Sequence, residues 1–194
     1  MTLKVGITGG IGSGKTTVCK VIEALGYPVY YADVEARKII ETDSDVTLAI
    51  SNLFGNDIYS SGKLDRQRLA SLVFNNKELL AKLNGIVHPA VARHFQVWAN
   101  RSNATIIFKE AAILFESGLN KLLDKTILVV APEQVRLQRV IDRDNISVDN
   151  VKSRMANQAT QDELVKLADY LINNDGKELV LPQLLGIIEN LKML

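Results

Sequence analysis

A glycine-rich segment near the start of the chain has the composition and spacing of a phosphate-binding loop. Gly9 to Thr16 reads Gly-Gly-Ile-Gly-Ser-Gly-Lys-Thr, which fits the pattern G-x-x-x-x-G-K-[ST]. Glycines let the backbone approach phosphate oxygens, and the successive N–H groups of such a loop form a concavity that binds anions. Lys15 can reach the β- and γ-phosphates of ATP, and the Thr16 hydroxyl can bind Mg²⁺. The residues predicted to bind ATP are Gly9, Gly12, Ser13, Gly14, Lys15, Thr16 and Thr17.

A second candidate is an acidic residue that follows a short strand. The segment from Val29 to Tyr31 is rich in β-branched and aromatic residues, which predicts a strand, and Asp33 lies just past its end. Open parallel sheets bind ligands at the carboxyl ends of their strands, so an aspartate there could orient an acceptor hydroxyl and take up its proton. Alternatively, Asp33 forms a surface ion pair with Arg37 four residues later. The spacing alone leaves both interpretations open.

Arginines recur in a charged helical segment that follows a later strand. Arg139 and Arg143 are four residues apart and share one face of this helix. From that face, guanidinium groups could neutralise the charge that develops on a transferring phosphate. The alternative is a solvated face on which Asp142 and Asp144 pair with the arginines. The phosphate loop favours the first interpretation, a helical lid over about residues 136–160 in which both arginines are catalytic.

Alternating strands and helices must position these residues. The predicted strands lie at residues 3–7, 29–31, 105–108, 126–130 and 170–172, and the predicted helices lie at 16–25, within 133–168 and from about 180. Strands separated by helices form a parallel sheet with helices on both faces. We predict an α/β, three-layer P-loop NTPase fold in a single domain over 1–194. A helical, substrate-covering insertion is expected at about 34–101.

Composition limits the remaining classes of function. The chain has 194 residues, a net charge of +1 and 47% hydrophobic residues, which is typical of a soluble domain and does not indicate a nucleic-acid or membrane partner. It begins without an apolar signal segment and contains no apolar run long enough for a membrane span. Cys19 is its one cysteine, so no intrachain disulfide is possible, and we expect its thiol to be buried. We expect a cytoplasmic protein, monomeric or weakly homo-oligomeric.

Several short motifs, taken in order along the chain, resemble those of the dephospho-coenzyme A kinase family. The resemblance covers nearly the whole chain, and motifs in a fixed order discriminate far better than one phosphate loop. The similar segments are Gly6 to Thr17, Ala32-Asp33 with Arg37, Gly62 to Arg66, His88-Pro89, Leu114-Phe115-Glu116, Arg139 with Arg143, Arg154 with Gln158, and Ala168-Asp169 followed by Asn174.

The resemblance implies a reaction and a set of residues. The reaction is transfer of the γ-phosphate of ATP to the ribose 3′-hydroxyl of dephospho-coenzyme A, the last step of coenzyme A synthesis, with ATP and Mg²⁺ bound at the loop. By this resemblance Asp33, Lys15, Arg139 and Arg143 are the catalytic residues. Asn174 corresponds to a family position near the adenine, and we include it among the residues that bind ATP.

Three departures from the family's usual pattern affect metal-water and substrate contacts. Tyr31 stands where the family often has Asp, and Arg136 stands where it often has Gln. Glu110-Ala111-Ala112 stands where Asp-x-Pro is frequent, which places Glu110 in the region that often holds the water shell of the metal. The reaction itself is expected to be the same.

Two other functions remain to be distinguished from this one. A P-loop kinase for a nucleoside monophosphate or a small alcohol would differ mainly in the insertion at 34–101. A nucleotide-dependent switch would bind a partner protein and transfer phosphate to no acceptor. Switch GTPases usually carry an Asn-Lys-x-Asp element that reads guanine, and the sequence contains none.

Overall fold

Seven strands and nine α-helices form in the residues that the computed structural model describes, 2–74 and 76–194. The strands are β1 (Leu3–Thr8), β2 (Val29–Tyr31), β3 (Tyr59–Ser60), β4 (Lys63–Leu64), β5 (Ile106–Glu110), β6 (Lys125–Val130) and β7 (Tyr170–Asn173). The helices are α1 (Lys15–Ala24), α2 (Ala32–Thr42), α3 (Ser44–Phe54), α4 (Arg66–Phe74), α5 (Lys77–Arg101), α6 (Glu133–Asp144), α7 (Val148–Ala156), α8 (Gln161–Val165) and α9 (Val180–Lys192).

The larger sheet has five parallel strands in the order β2-β5-β1-β6-β7. β1 lies in its centre, between β5 and β6, and its residues Val5 and Ile7 are fully buried, as in a strand covered on both faces. Because the strands are parallel, their carboxyl ends lie along one edge, where the glycine-rich loop begins after Thr8. The predicted α/β fold with a parallel sheet is confirmed.

One face of this sheet packs against the first and the last helix. Val18 and Ile22 of α1 and Leu184 and Ile188 of α9 are buried in one apolar cluster with residues of β1, β5, β6 and β7. Their spacing of four residues places each pair on one side of its helix. Cys19 is buried in the same cluster, as expected, and burial raises the pKa of its thiol to about 12.

Strand β5 runs two residues further than the sequence pattern predicts. The expected strand ends at Phe108, whereas β5 continues through Lys109 and Glu110. Since β5 lies between two neighbours, its backbone is paired up to Glu110, which aligns with Ile7 on one side and Tyr31 on the other. Lys109 is fully buried, and this burial lowers its pKa to about 8.

Residues Ala32–Arg101 form a compact helical unit. Within it α2 packs against α3 and α5, and α4 packs against α5. Asp43 caps α3 by accepting hydrogen bonds from the main-chain N–H groups of Asp45 and Val46. β3 and β4 form an antiparallel hairpin within this mainly helical unit. The acceptor-covering role expected for residues from about 34 onward stays a prediction.

The other compact unit consists of residues 2–31 and 102–194 and contains the five-stranded sheet. In it α6 packs against α7, and α8 packs against β6. Ser147 caps α7, and Thr160 with Glu163 forms a capping box at the start of α8. The lid role expected for this region stays a prediction. Within the residues described, no helix has the length and apolar character that a membrane crossing requires.

Candidate active site

The glycine-rich loop connects the end of β1 at Thr8 to the start of α1 at Lys15, as the motif predicts. Gly12 and Gly14 have φ values of 78° and 92°, in the left-handed region that L side chains rarely adopt. A Cβ on Gly12 would collide with the main chain of Arg136, and one on Gly14 would collide with the Asn174 side chain. Glycine is therefore required at both positions by backbone conformation and by close packing.

The first turn of α1 can receive an anion. An α-helix leaves the first N–H groups without intrahelical acceptors, and its N-terminus carries partial positive charge. Gly14 precedes the helix and has no side chain to cap it, and no acidic residue lies in the first turn. The Lys15 ammonium donates a hydrogen bond of 2.5 Å to the main-chain oxygen of Gly9, so it lies over the loop. Thr16 and Thr17 are exposed in the same turn.

Two side chains from distant parts of the chain hold the loop where it enters α1. Asn174 Nδ2 donates to the main-chain oxygen of Ser13 at 2.8 Å. Arg139 Nη1 donates to the main-chain oxygen of Asn174 at 3.0 Å and lies 3.5 Å from that of Ser13. The structure therefore brings Arg139 and Asn174 to the loop, and a guanidinium is fixed beside the residue that precedes the first turn of α1.

Arg143 lies in a different setting from Arg139. Its guanidinium donates to both carboxylate oxygens of Asp144, at 2.7 and 3.0 Å. Arg154 Nη1 donates to the same carboxylate at 3.0 Å. The hydrogen bond from Arg143 lowers the pKa of Asp144, and the charges of both arginines add to this effect. In this structure Arg143 therefore lies on a solvated helix face and pairs with an aspartate, which was the alternative to a lid role. Arg139 does not lie in such a setting.

The predicted loop residue Ser13 faces inward. Its side chain is fully buried, and its hydroxyl has no hydrogen-bond partner among residues 2–74 and 76–194. A Cβ on Gly9 would come within 2.7 Å of this hydroxyl oxygen. Ser13 therefore contributes to the loop through close packing and through its main-chain oxygen.

The carboxylate of Glu110 lies at the carboxyl end of β5, next to the strand that leads into the loop. It is mostly buried, and its charge contributes to the raised pKa of Cys19 on α1. Tyr31, aligned with Glu110 across the sheet, donates its hydroxyl hydrogen to Glu23 at 2.9 Å. The pKa of Tyr31 is raised, mainly by burial and then by this hydrogen bond.

The oxygen atoms near the loop suit a hard cation, most of whose ligands are provided by water and phosphate. Mg²⁺ is usually held by one or two protein oxygens together with substrate phosphates. The Thr16 hydroxyl and the Glu110 carboxylate are oxygen groups of this kind. In the part of the chain that the structure describes, no cluster of three or more His, Cys, Asp or Glu side chains could form a metal cage. The donor set therefore fits Mg²⁺ bound with a nucleotide.

The candidate acceptor residues belong to the unit Ala32–Arg101. Asp33 lies in the first turn of α2, which begins directly after β2. Asp33 and Arg37 are both exposed. Among the described residues, no ion pair joins them, so the local pairing considered for Asp33 does not form here.

Several residues that support the site carry no sequence signal that identifies them. Gln183 accepts from the N–H of Asn173 at 2.8 Å and donates to its oxygen at 2.9 Å, which fixes the residue before Asn174. Asp169 accepts hydrogen bonds from the N–H and hydroxyl of Thr126. Gln158 accepts a hydrogen bond from the N–H of Ile11 in the loop. Only Asp169 and Gln158 fell within motifs of the family resemblance, and that resemblance did not indicate these contacts.

Comparison with known proteins gives a consistent result. A family model described as dephospho-CoA kinase matches residues 3–179. Dephospho-CoA kinases from Bacteroides fragilis and Salinibacter ruber are 38% and 43% identical, over 97% and 88% of this chain and 92% and 88% of their own lengths. A crystal structure from Thermus thermophilus, 35% identical, superposes with a TM-score of 0.88 over 97% of both chains.

More distant structures agree in fold. A dephospho-CoA kinase structure from Campylobacter jejuni is 30% identical, with a TM-score of 0.64 over 90% of this chain and 89% of its own. A shikimate kinase from Acinetobacter baumannii, only 15% identical, has a TM-score of 0.58 over 100% of this chain and 94% of its own, which shows a shared fold alone. Since the family model and the relatives each cover most of the sequence, the chain belongs to the dephospho-CoA kinase family.

Proposed function

We propose that this chain transfers the γ-phosphate of ATP to the ribose 3′-hydroxyl of dephospho-coenzyme A, giving coenzyme A and ADP. The observation that carries the proposal is the loop from Gly9 to Thr17 with Arg139 fixed beside it, in a chain that matches the family model over residues 3–179. The bond that forms joins the 3′-oxygen to the γ-phosphorus, and the bond that breaks joins this phosphorus to the oxygen bridging it to the β-phosphate.

The loop residues would contribute to the reaction by positioning the phosphates of ATP and by neutralising their charge. Phosphoryl transfer requires little covalent chemistry from the protein, so fixed donors and cations provide most of the acceleration. The N–H groups at the start of α1 would hold phosphate oxygens, and Lys15 would exchange its contact with Gly9 for the β- and γ-phosphates. Arg139 would stabilise charge on the transferring group. In our proposal Arg143 joins it when the lid closes, which requires it to leave Asp144.

Mg²⁺ would neutralise the charge of the ATP phosphates and help to align them. The Thr16 hydroxyl would hold the ion, and the Glu110 carboxylate would accept hydrogen bonds from its water ligands. Both groups are oxygen donors at the edge of the sheet where β1 and β5 end. The chain's own residues thus contribute one ligand and one orienting carboxylate.

Asp33 would act on the acceptor. Its carboxylate would accept a hydrogen bond from the 3′-hydroxyl, aim the oxygen at the γ-phosphorus and take up the proton as the new bond forms. Asp33 is suited to this because it is exposed and has no ion-pair partner among the residues described. We propose that the unit Ala32–Arg101 holds the rest of the acceptor.

A coupled assay of ADP release, with and without dephospho-coenzyme A, tests the proposal. The Asp33→Asn variant keeps the shape of the side chain and loses its basicity, so we expect turnover to fall by about 10²- to 10⁴-fold. Its affinity for a non-hydrolysable ATP analogue should stay within about threefold of wild type, because the loop is untouched. Glu35→Gln on the same helix, where Glu35 pairs with Lys38, is the matched control and should keep its activity.

Each outcome of this assay identifies a different error. Unchanged turnover in Asp33→Asn would remove Asp33 from the mechanism while leaving the acceptor assignment intact. Transfer to AMP with no transfer to dephospho-coenzyme A would instead favour a nucleoside monophosphate kinase. ATP hydrolysis that no acceptor stimulates would favour a nucleotide switch.

Several further expectations belong to the same proposal. We propose that the protein works in the cytoplasm as a monomer or weak homo-oligomer, without nucleic-acid or membrane partners. The net charge of +1 supports the absence of a large electrostatic binding surface. Sedimentation analysis at assay concentrations would measure the oligomeric state directly.

A further inference from the structure

The tip of the phosphate loop is bound by a side chain from the end of the predicted lid segment. The Ile11 N–H donates to Gln158 Oε1 at 2.8 Å, in a part-buried contact between residues 147 positions apart. Ile11 lies between Gly10 and Gly12, so this hydrogen bond holds the loop at a point where its neighbours have no side chains. The bond connects the main chain of the loop to the turn between α7 and α8.

Gln158 is itself firmly placed. Its own N–H donates to the main-chain oxygen of Met155 at 3.1 Å, which closes the last turn of α7. Two residues later, Thr160 and Glu163 form the capping box that starts α8. A glutamine whose main chain is fixed on both sides by helix ends can hold the loop at a lower entropic cost, because only side-chain freedom is lost when it binds.

A second residue of the same region covers the loop tip. A Cβ on Gly10 would collide with the guanidinium of Arg136, and one on Gly12 would collide with the Arg136 main chain. Arg136 and Gln158 also line a cavity of about 670 Å³ together with residues of α7 and α8. The loop tip therefore lies against a surface formed by α6 and the α7–α8 turn, and Gln158 supplies the hydrogen bond in that surface.

We propose that Gln158 is a positioning residue for phosphoryl transfer, which fixes the loop through the Ile11 N–H. This N–H is directed to Gln158, so in our proposal the phosphates are held by the N–H groups that follow it in the loop. By fixing it, Gln158 sets the path of the backbone through Gly12 to Gly14 and so the direction of the N–H groups that follow. The inference rests on the proposed function of the loop.

The chemistry of the amide group explains why a glutamine suits this position. Its oxygen accepts the Ile11 hydrogen bond and carries no charge, so the loop is fixed without an anion beside the phosphates. A glutamate would keep the acceptor but repel the triphosphate. A methionine would keep the length of the side chain and lose the strong acceptor. Comparing glutamine, glutamate and methionine at this position therefore separates the effect of the hydrogen-bond acceptor from the effect of charge.

The test compares Gln158→Met, Gln158→Glu and Gln161→Met in steady-state kinetics. Gln161 is the matched control, because its Oε1 also accepts a hydrogen bond from a main-chain N–H. The donor is Ala131, at 3.4 Å, and this residue lies outside the loop. We expect Gln158→Met to lower kcat about tenfold with a smaller change in KM for ATP. Gln158→Glu should keep kcat within about threefold and raise KM for ATP, by an amount that shrinks as salt increases. Gln161→Met should stay within about twofold of wild type in both.

Thermal unfolding and calorimetric binding of a non-hydrolysable ATP analogue accompany the kinetics. Wild-type kcat in Gln158→Met would overturn the proposal, and so would an equal loss of kcat in Gln158→Glu or in Gln161→Met. A lower Tm in Gln158→Met with unchanged kinetics would also overturn it, since the contact would then serve stability alone. If wild type itself fails to phosphorylate dephospho-coenzyme A, the proposed function fails. Even then, a lower affinity for the ATP analogue in Gln158→Met than in Gln161→Met would support a role of Gln158 in positioning the loop.

Discussion

Helix α6 presents arginines to two different settings, although its sequence pattern treats them alike. Near the middle of the helix, Arg139 donates to main-chain oxygens of Asn174 and Ser13. One turn later, Arg143 has 64% of its side chain exposed and pairs with Asp144. Arg139 is fixed to the phosphate loop, whereas Arg143 belongs to a surface ion network. Sharing a helix face therefore does not give two residues the same role, because the groups opposite each turn differ.

The largest effect is expected from removing the arginine that already lies at the loop. Arg139→Met should lower kcat/KM for ATP by about 100-fold or more, because in our proposal it removes a preorganised cation next to the transferring phosphate. Arg143→Met should lower it by about tenfold, since Arg143 must give up its bonds to Asp144 before it can contribute. Initial rates with varied ATP at saturating dephospho-coenzyme A measure both values.

Arg101→Met, at the exposed end of α5, controls for loss of a positive charge. If Arg143→Met lowered kcat/KM more than Arg139→Met does, the contrast between the two arginines of α6 would describe only the state seen here. Lid closure would then have to replace the contacts of Arg139 with those of Arg143. Equal losses from both variants would mean that the lid carries the two arginines to the phosphate together.

A smaller effect is expected from the partner that Arg139 contacts. Asn174→Ala removes the hydrogen bond from Nδ2 to Ser13 but keeps the main-chain oxygen that Arg139 binds. One neutral hydrogen bond contributes about 0.5–1.5 kcal/mol, so kcat/KM for ATP should fall by about two- to tenfold. Asn173→Ala is the matched control, since the Asn173 side chain contacts Asp175 and not the loop. A greater loss in Asn173→Ala would show that the whole segment, and not the Ser13 contact, matters.

The sequence was sufficient to predict the parts of this site that depend on local pattern. The loop from Gly9 to Thr16 follows from glycine conformation and the lysine position, and strands β1, β2, β6 and β7 follow from short apolar runs. Arg139 lies at the loop, and its catalytic role stays a prediction. These features need no knowledge of what lies opposite them in the fold, which is why periodicity and motif spacing identify them.

The remaining features depend on pairing between distant residues. Lys109 and Glu110 are charged neighbours that indicate the end of a strand, yet β5 continues through them because β1 and β2 supply backbone partners on both sides. The bond from Ile11 to Gln158 spans 147 positions. A single sequence carries no signal for such long-range contacts. The pairing of Arg143 with its neighbour Asp144 was instead one of two alternatives that the helix spacing left open.

The smallest expected effect concerns the Asp144 carboxylate, which holds Arg143 in the second half of α6. Asp144→Asn removes the ionic partner of Arg143 and Arg154. Because the network is exposed, we expect kcat/KM to change by no more than about threefold and the change to diminish with added salt. A large gain in kcat/KM would mean that Asp144 restrains Arg143 from the phosphate in the resting enzyme.

The pH dependence of stability tests the same ion network independently of catalysis. The hydrogen bond from Arg143 lowers the pKa of Asp144 below its usual value of 3.8, so the unfolded chain takes up this proton at a higher pH than the folded protein does. The stabilisation is therefore fully present at neutral pH and is lost as the pH falls below 3.8 through the lowered pKa. Urea midpoints of wild type and Asp144→Asn should differ at neutral pH and converge in acid. A difference that did not change with pH would mean that the carboxylate acts through packing, and the contrast between Arg139 and Arg143 would then not be one of charge.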